Sequence, residues 1–88
     1  MKVLKFGAVW CTGCIIMKPC WEKIEQEHPW LETIYYDADE HQELIDQYDI
    51  KRLPCFIFLD KTGNELERVV GEMKEDKLVE TIKKLKDK

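Results

Sequence analysis

Cys11 and Cys14 stand two residues apart in a chain of 88 residues, with Thr12 and Gly13 between them. Two thiols at that spacing can close into a small disulfide ring or stand open as a dithiol, and so can carry two electrons. The same spacing occurs in zinc sites, but a tetrahedral site needs a second close pair, and Cys20 and Cys55 do not form one. The spacing therefore favours redox chemistry. A binding module without turnover and a thiol metal site, zinc or iron-sulfur, are the competing readings.

The flanking residues predict what positions the pair. Residues 2–9 read as a mostly apolar strand, and a helix is expected from Thr12 to about His28. The cysteines then sit at a strand-to-helix turn, where unpaired backbone N–H groups and the positive end of the helix dipole favour thiolate over thiol. Cys11, at the exposed helix start, is the expected nucleophile. Cys14, nearly one turn inside, is expected to be shielded from substrate and to resolve the mixed disulfide that Cys11 forms. Met17, Trp21 and Ile24, flanked by Cys14 and Cys20, follow the spacing of a buried stripe. Ile15 lies roughly opposite Met17 and is expected to be docking surface. Pro19 lacks the N–H for the Ile15 carbonyl, so a kink is expected one turn after the cysteines. Lys5 is the anomaly: an amine in a strand otherwise apolar on both faces must find a partner or water, or lose its charge.

Beyond Pro29, residues 31–36 read as a second strand, and strand, helix, strand implies a right-handed parallel crossover. Asp37 and Asp39 supply turn and N-cap chemistry, and His41, Leu44, Ile45 and Tyr48 line one face of a short helix. Residues 55–59 form a strongly apolar strand, a turn follows at 61–64, and residues 65–70 return as its hairpin partner. A last helix carries Leu78, Val79, Ile82 and Leu85 on one face. Glu75 and Asp76 open it, and Lys83, Lys84, Lys86 and Lys88 close it, matching the dipole.

Composition bounds the rest. The length suits one domain, residues 1–88, and 44% hydrophobic with 36% charged residues predicts a packed fold. A net charge of -4 with no continuous basic face argues against nucleic acid. No run of roughly 18 apolar residues is present to span a bilayer, and the start of the chain carries no leader pattern. A cytoplasmic location fits, because a close cysteine pair in a reducing compartment is more often catalytic than structural. Cys20 and Cys55 read as small buried hydrophobes, with a second redox pair as the sharper alternative.

The order βαβαββα, with a cysteine pair at the first βα turn and a proline opening the third strand, resembles the thioredoxin family. Trp10 before the pair, Pro19 five residues after the second cysteine, Leu53-Pro54 in the pattern Tyr-x-Ile-x-x-Leu-Pro, and Gly71 after the last strand all match. The resemblance implies an α/β fold of the thioredoxin type, a four-stranded mixed sheet with helices on both faces. It also implies a thiol-disulfide oxidoreductase acting on protein disulfides, with no cofactor beyond the Cys11–Cys14 disulfide, an electron-donating disulfide reductase as partner, and a monomer. Pro54 would be cis and pack against the pair. Trp10, Thr12, Gly13, Ile15, Leu53 and Gly71 would rim the substrate groove, and Lys51-Arg52 would favour an apolar segment of some acidic character. Four departures stand out. The family's N-terminal strand and helix are missing, which leaves a minimal form of the fold. Thr12-Gly13 replaces Gly-Pro. Lys5 stands where thioredoxins carry a buried acid, with Tyr35 at the position of the lysine near it. Cys55 replaces the usual threonine after Pro54. Lys5 is then expected behind Cys14, facing Tyr35, as a group that promotes loss of the Cys14 proton.

Overall fold

The computed structural model describes residues 1–86. Of the lysines expected to close the last helix, Lys88 lies outside the described residues. The elements are β1 (Lys2–Gly7), α1 (Thr12–Glu27), β2 (Glu32–Asp37), α2 (Gln42–Gln47), β3 (Cys55–Leu59), β4 (Glu65–Val70) and α3 (Glu75–Leu85). They follow the expected βαβαββα order. The sheet runs β2-β1-β3-β4, with β1 parallel to β2 and the other pairs antiparallel. The parallel pair is possible because α1 supplies the long crossover that such pairing requires.

Two apolar clusters cover the two faces. Val3 of β1 and Phe56 and Phe58 of β3 meet Met17, Trp21 and Ile24 of α1 and Leu78, Ile82 and Leu85 of α3. On the other face Leu4, Phe6, Cys55, Ile57 and Leu59 carry Leu44 and Ile45 of α2, together with Tyr36 and Tyr48. The strict alternation along β1 follows from its pleat. All five residues of β3 are buried, as expected of a central strand covered on both sides.

Three boundaries differ from the sequence expectation. β1 stops at Gly7, two residues early, because Ala8–Trp10 turn back and the Cys11 N–H closes on the Ala8 carbonyl at 3.1 Å. β2 begins at Glu32 and runs to Asp37, so Leu31 packs in the core ahead of the strand. Asp39 does not cap α2: His41 holds the cap position with no side-chain bond, and Asp37 Oδ1 instead accepts the Asp39 N–H at 2.8 Å. Aspartate makes that local turn readily, and the turn competes with capping. α1 continues through Pro19 to Glu27.

The β3–β4 hairpin is tied by one carboxylate. Asp60 Oδ1 accepts the Thr62 N–H at 2.8 Å, the Thr62 hydroxyl at 2.7 Å and the Asn64 N–H at 2.9 Å, and Gly63 takes the positive φ of 91° that closes the turn.

Candidate active site

Cys11 is the N-cap of α1. Its backbone is extended and its carbonyl accepts the Ile15 N–H at 3.2 Å, while its Sγ accepts the Cys14 N–H at 3.2 Å. A cap residue ordinarily offers a side-chain oxygen to these orphan donors. Here a sulfur takes that place, where partial positive charge favours a thiolate. Cys11 and Cys14 are joined as a disulfide with Cα atoms 5.2 Å apart.

The loop before β3 forms the opposite wall. Leu53-Pro54 is a cis peptide, and the Pro54 carbonyl accepts the Gly71 N–H at 2.8 Å, with Gly71 at a φ of 90° that favours glycine. Gly13 allows the two walls to approach: a Cβ at Gly13 would stand 3.0 Å from Pro54 Cδ and 3.3 Å from Glu72 Cγ. Thr12 is exposed and Leu53 is half-buried against the α2-side core. Trp10 is 64% exposed and its indole donates to Asp39 Oδ2 at 2.9 Å. Ile15 is 60% exposed, as its position opposite Met17 predicts.

Sequence reasoning missed several neighbours of the pair. Val9, placed in the strand beforehand, projects from the turn at 80% exposure, and Ile16 is exposed beside Ile15. Glu72 and Asp39 reach the rim from distant segments. The early glycine at position 7 was the available signal for Val9; nothing local marked the other three.

Two expectations about the cysteines and Lys5 need correction. Cys14 is not the shielded sulfur residue: it is half-buried, whereas Cys11 is 7% exposed. The reason is a cavity of about 610 Å³ between α1 and the β1–β2 side of the sheet, which Cys14 lines and Cys11 does not. Gly7 lets the Cys14 sulfur and the Tyr35 phenol pack close to the β1 backbone, since a Cβ there would stand 3.1 Å from each. Lys5 does stand opposite Tyr35 in the β1–β2 register, but its ammonium pairs with the Glu25 carboxylate from α1 and lies 5.6 Å from the Trp21 ring centre. Glu25 also accepts the Thr33 hydroxyl at 3.0 Å. The acid on this face thus comes from the helix, and Lys5 shares the cavity with Cys14 as half of an ion pair. The Tyr35 phenol reaches over Gly7; burial, then the Asp37 and Glu40 carboxylates, push its pKa above the usual range, so it keeps its proton.

Among the described residues no three His, Cys, Asp or Glu side chains cluster as a metal site requires. Cys20 packs beside the α1–α3 core and Cys55 lies wholly inside the α2-side core, so the sheet separates them.

A family model described as Thioredoxin matches residues 1–84. The chain is 39% identical over 74 residues to thioredoxin H5 of Oryza sativa subsp. japonica, covering 84% of this chain and 54% of that protein. Among solved structures, Fasciola hepatica thioredoxin superposes with a TM-score of 0.86 at 35% identity, covering 94% of this chain and 78% of that one. The thioredoxin of Nicotiana alata gives 0.87 at 32% identity, covering 94% and 70%. The chain spans 54% of the rice protein and 60% of an H-type thioredoxin of Picea mariana, less than two-thirds of either.

Proposed function

Since the chain belongs to the thioredoxin family, we propose that it reduces protein disulfides by dithiol-disulfide exchange through Cys11 and Cys14. The observation that carries this reading is the Cys11 sulfur at the α1 N-cap, taking the Cys14 N–H at 3.2 Å beside the cis Leu53-Pro54 peptide. The Cys11 thiolate attacks a substrate disulfide, forms a mixed disulfide and releases one substrate thiolate. Cys14 then attacks Cys11 Sγ, which releases the second substrate thiolate and closes the Cys11–Cys14 disulfide. That step is intramolecular and gains the effective concentration of a held neighbour.

Substrate lies as an extended segment along Pro54, with Leu53, Gly71, Thr12 and Gly13 beside it and Trp10 and Ile15 supplying apolar contact. The exposed Val9 and Ile16 extend that contact surface. Lys5, held by Glu25, acts as a positioning charge that favours the Cys14 thiolate. The pair alone carries the electrons, with no further cofactor, and a disulfide reductase returns it to the dithiol form. Two unpaired cysteines support a reducing, cytoplasmic setting.

Insulin reduction with dithiothreitol as donor tests the reading. The unsubstituted protein should accelerate it, Cys11→Ser should abolish the acceleration, and Cys14→Ser should accumulate a mixed disulfide with insulin. Full turnover by Cys14→Ala would refute the resolving role.

A further inference from the structure

We propose that Tyr35 is a further catalytic residue: its hydroxyl donates a hydrogen bond to the Cys14 sulfur as that sulfur becomes a thiolate, and so speeds the closure of Cys14 on Cys11. This rests on the thiol-disulfide reading, keeps Cys11 as nucleophile and Cys14 as resolving thiol, and adds the group that serves the second of them. β1 and β2 run parallel with Lys5 opposite Tyr35 and Gly7 opposite Asp37, so Lys5, Gly7 and Tyr35 share one face of the sheet. Gly7 projects no side chain, and the Tyr35 ring leans along the sheet to cover it. A Cβ at Gly7 would stand 3.1 Å from the Tyr35 hydroxyl and 3.1 Å from Cys14 Sγ. Oxygen and sulfur are therefore at most twice that distance apart, packed on the same patch of backbone.

The charged groups of this face are committed elsewhere or offset one another. Lys5 pairs its ammonium with Glu25, about three turns beyond Cys14 along α1, so it acts on Cys14 only at a distance. Lys18 and Glu22 of α1 and Asp37 of β2 complete the charges of the cavity wall, where carboxylates outnumber ammonium groups and do not by themselves favour an anion at Cys14. Among the described residues the Tyr35 hydroxyl takes part in no hydrogen bond within the protein. Burial, then the Asp37 and Glu40 carboxylates, keep its proton on, so it donates throughout the range in which thiols ionise. A disulfide sulfur is a weak acceptor and a thiolate a strong one, so the bond strengthens as charge develops on Cys14.

In the mixed disulfide between Cys11 and substrate, the Cys14 thiol gives its proton to water and the thiolate accepts the Tyr35 O–H. Cys14 Sγ then attacks Cys11 Sγ. The Cys11–Cys14 bond forms, and the bond from Cys11 to the substrate sulfur breaks with its electron pair on the leaving sulfur. Tyr35 keeps its own proton throughout. A hydrogen bond that stabilises a thiolate also makes it less nucleophilic, by about 0.4–0.5 of the change in its ionisation on a logarithmic scale. The gain in thiolate population therefore outweighs the loss in reactivity below the pH at which Cys14 is fully ionised, and above that pH only the loss remains.

The test mixes the reduced protein with excess dithionitrobenzoate disulfide in a stopped-flow instrument across pH. Attack by Cys11 releases one coloured thiolate at a rate that depends on reagent concentration, and closure by Cys14 releases a second at a rate that does not. Tyr35→Phe keeps the ring over Gly7 and removes only the hydroxyl. It should raise the pH of half-maximal closure by about one unit. Closure at neutral pH should slow roughly threefold and its plateau at high pH should rise by a similar factor, while the first phase stays unchanged. Tyr36→Phe, on the opposite face of the sheet against Phe6, should leave both phases as they are. Superimposable closure profiles for Tyr35→Phe and the unsubstituted protein would overturn the proposal, as would equal slowing of both phases or the same shift in Tyr36→Phe. If the unsubstituted protein showed no closure phase, the resolving role of Cys14 would fail and this assignment with it; a closure phase indifferent to the hydroxyl counts against Tyr35 alone.

Discussion

At the scale of single residues, Lys5 shows where local sequence stops being informative. Its cost in a covered strand is legible from its neighbours, and so is the need for a partner. The partner is not, because Glu25 lies 20 positions away and reaches Lys5 only once α1 has packed on the sheet. Cys14 makes the same point: its depth in the helix predicts shielding, yet the way α1 packs on the sheet leaves it half-buried and lining a cavity. Lys5→Met should strand the Glu25 carboxylate on a half-buried face with only the Thr33 hydroxyl to bond it, at a cost of about 1–3 kcal/mol. It should also slow resolution of the mixed disulfide while leaving the first attack by Cys11 nearly unchanged. Stopped-flow rates across pH separate the two effects. If Lys5→Met with Glu25→Leu recovers stability and the resolution rate together, Lys5 serves packing alone; if stability returns and the rate does not, the charge matters to Cys14.

The elements themselves were the most legible level, because periodicity is a property of contiguous residues. Met17, Trp21 and Ile24 mark the face that α1 buries, and Leu78, Ile82 and Leu85 do the same for α3. The ends were less legible where a bond from elsewhere decides them. β1 stops at Gly7 because the chain turns back and the Cys11 N–H closes on the Ala8 carbonyl, and Asp37 spends its carboxylate on a turn that leaves α2 uncapped. The β3–β4 hairpin is the contrary case, since Asp60-Lys61-Thr62-Gly63-Asn64 contains every group the turn uses. The Thr62 hydroxyl first, then the Asn64 N–H, hold the Asp60 pKa below its usual range. A depressed carboxylate contributes stability above its unfolded pKa, and that contribution is lost as pH falls through the folded value. Asp60→Ala should therefore lower the urea midpoint at neutral pH, and the gap from the unsubstituted protein should close in acid. A gap of equal size at both pH values would show that the loss comes from turn geometry and not from the charge.

Across the whole molecule the sheet acts as a partition. It keeps Cys20, beside α3, from Cys55, under α2, so the second redox pair, the sharper alternative for these thiols, has no geometry to form. Burial pushes both thiols above their ordinary pKa, with Glu75 adding to the effect at Cys20 and Glu65 at Cys55. Alkylation of the oxidised protein should be slow at both thiols in the native state, and after denaturation it should label two cysteines per chain; labelling none would mean that they pair. The tryptophans are divided as well. Trp21 is buried against Phe56, and Trp30 lies past the far end of α1 with the Lys86 ammonium 5.0 Å from its ring centre. Trp10 immediately precedes Cys11 of the disulfide in the chain, and its indole is bonded to Asp39. A disulfide in contact with an excited indole accepts an electron from it and quenches its light, and a dithiol does so far less. If Trp10 is that indole, ultraviolet emission should brighten as the pair is reduced, and Trp10→Phe should remove the change; an unaltered change in Trp10→Phe would assign it to another tryptophan.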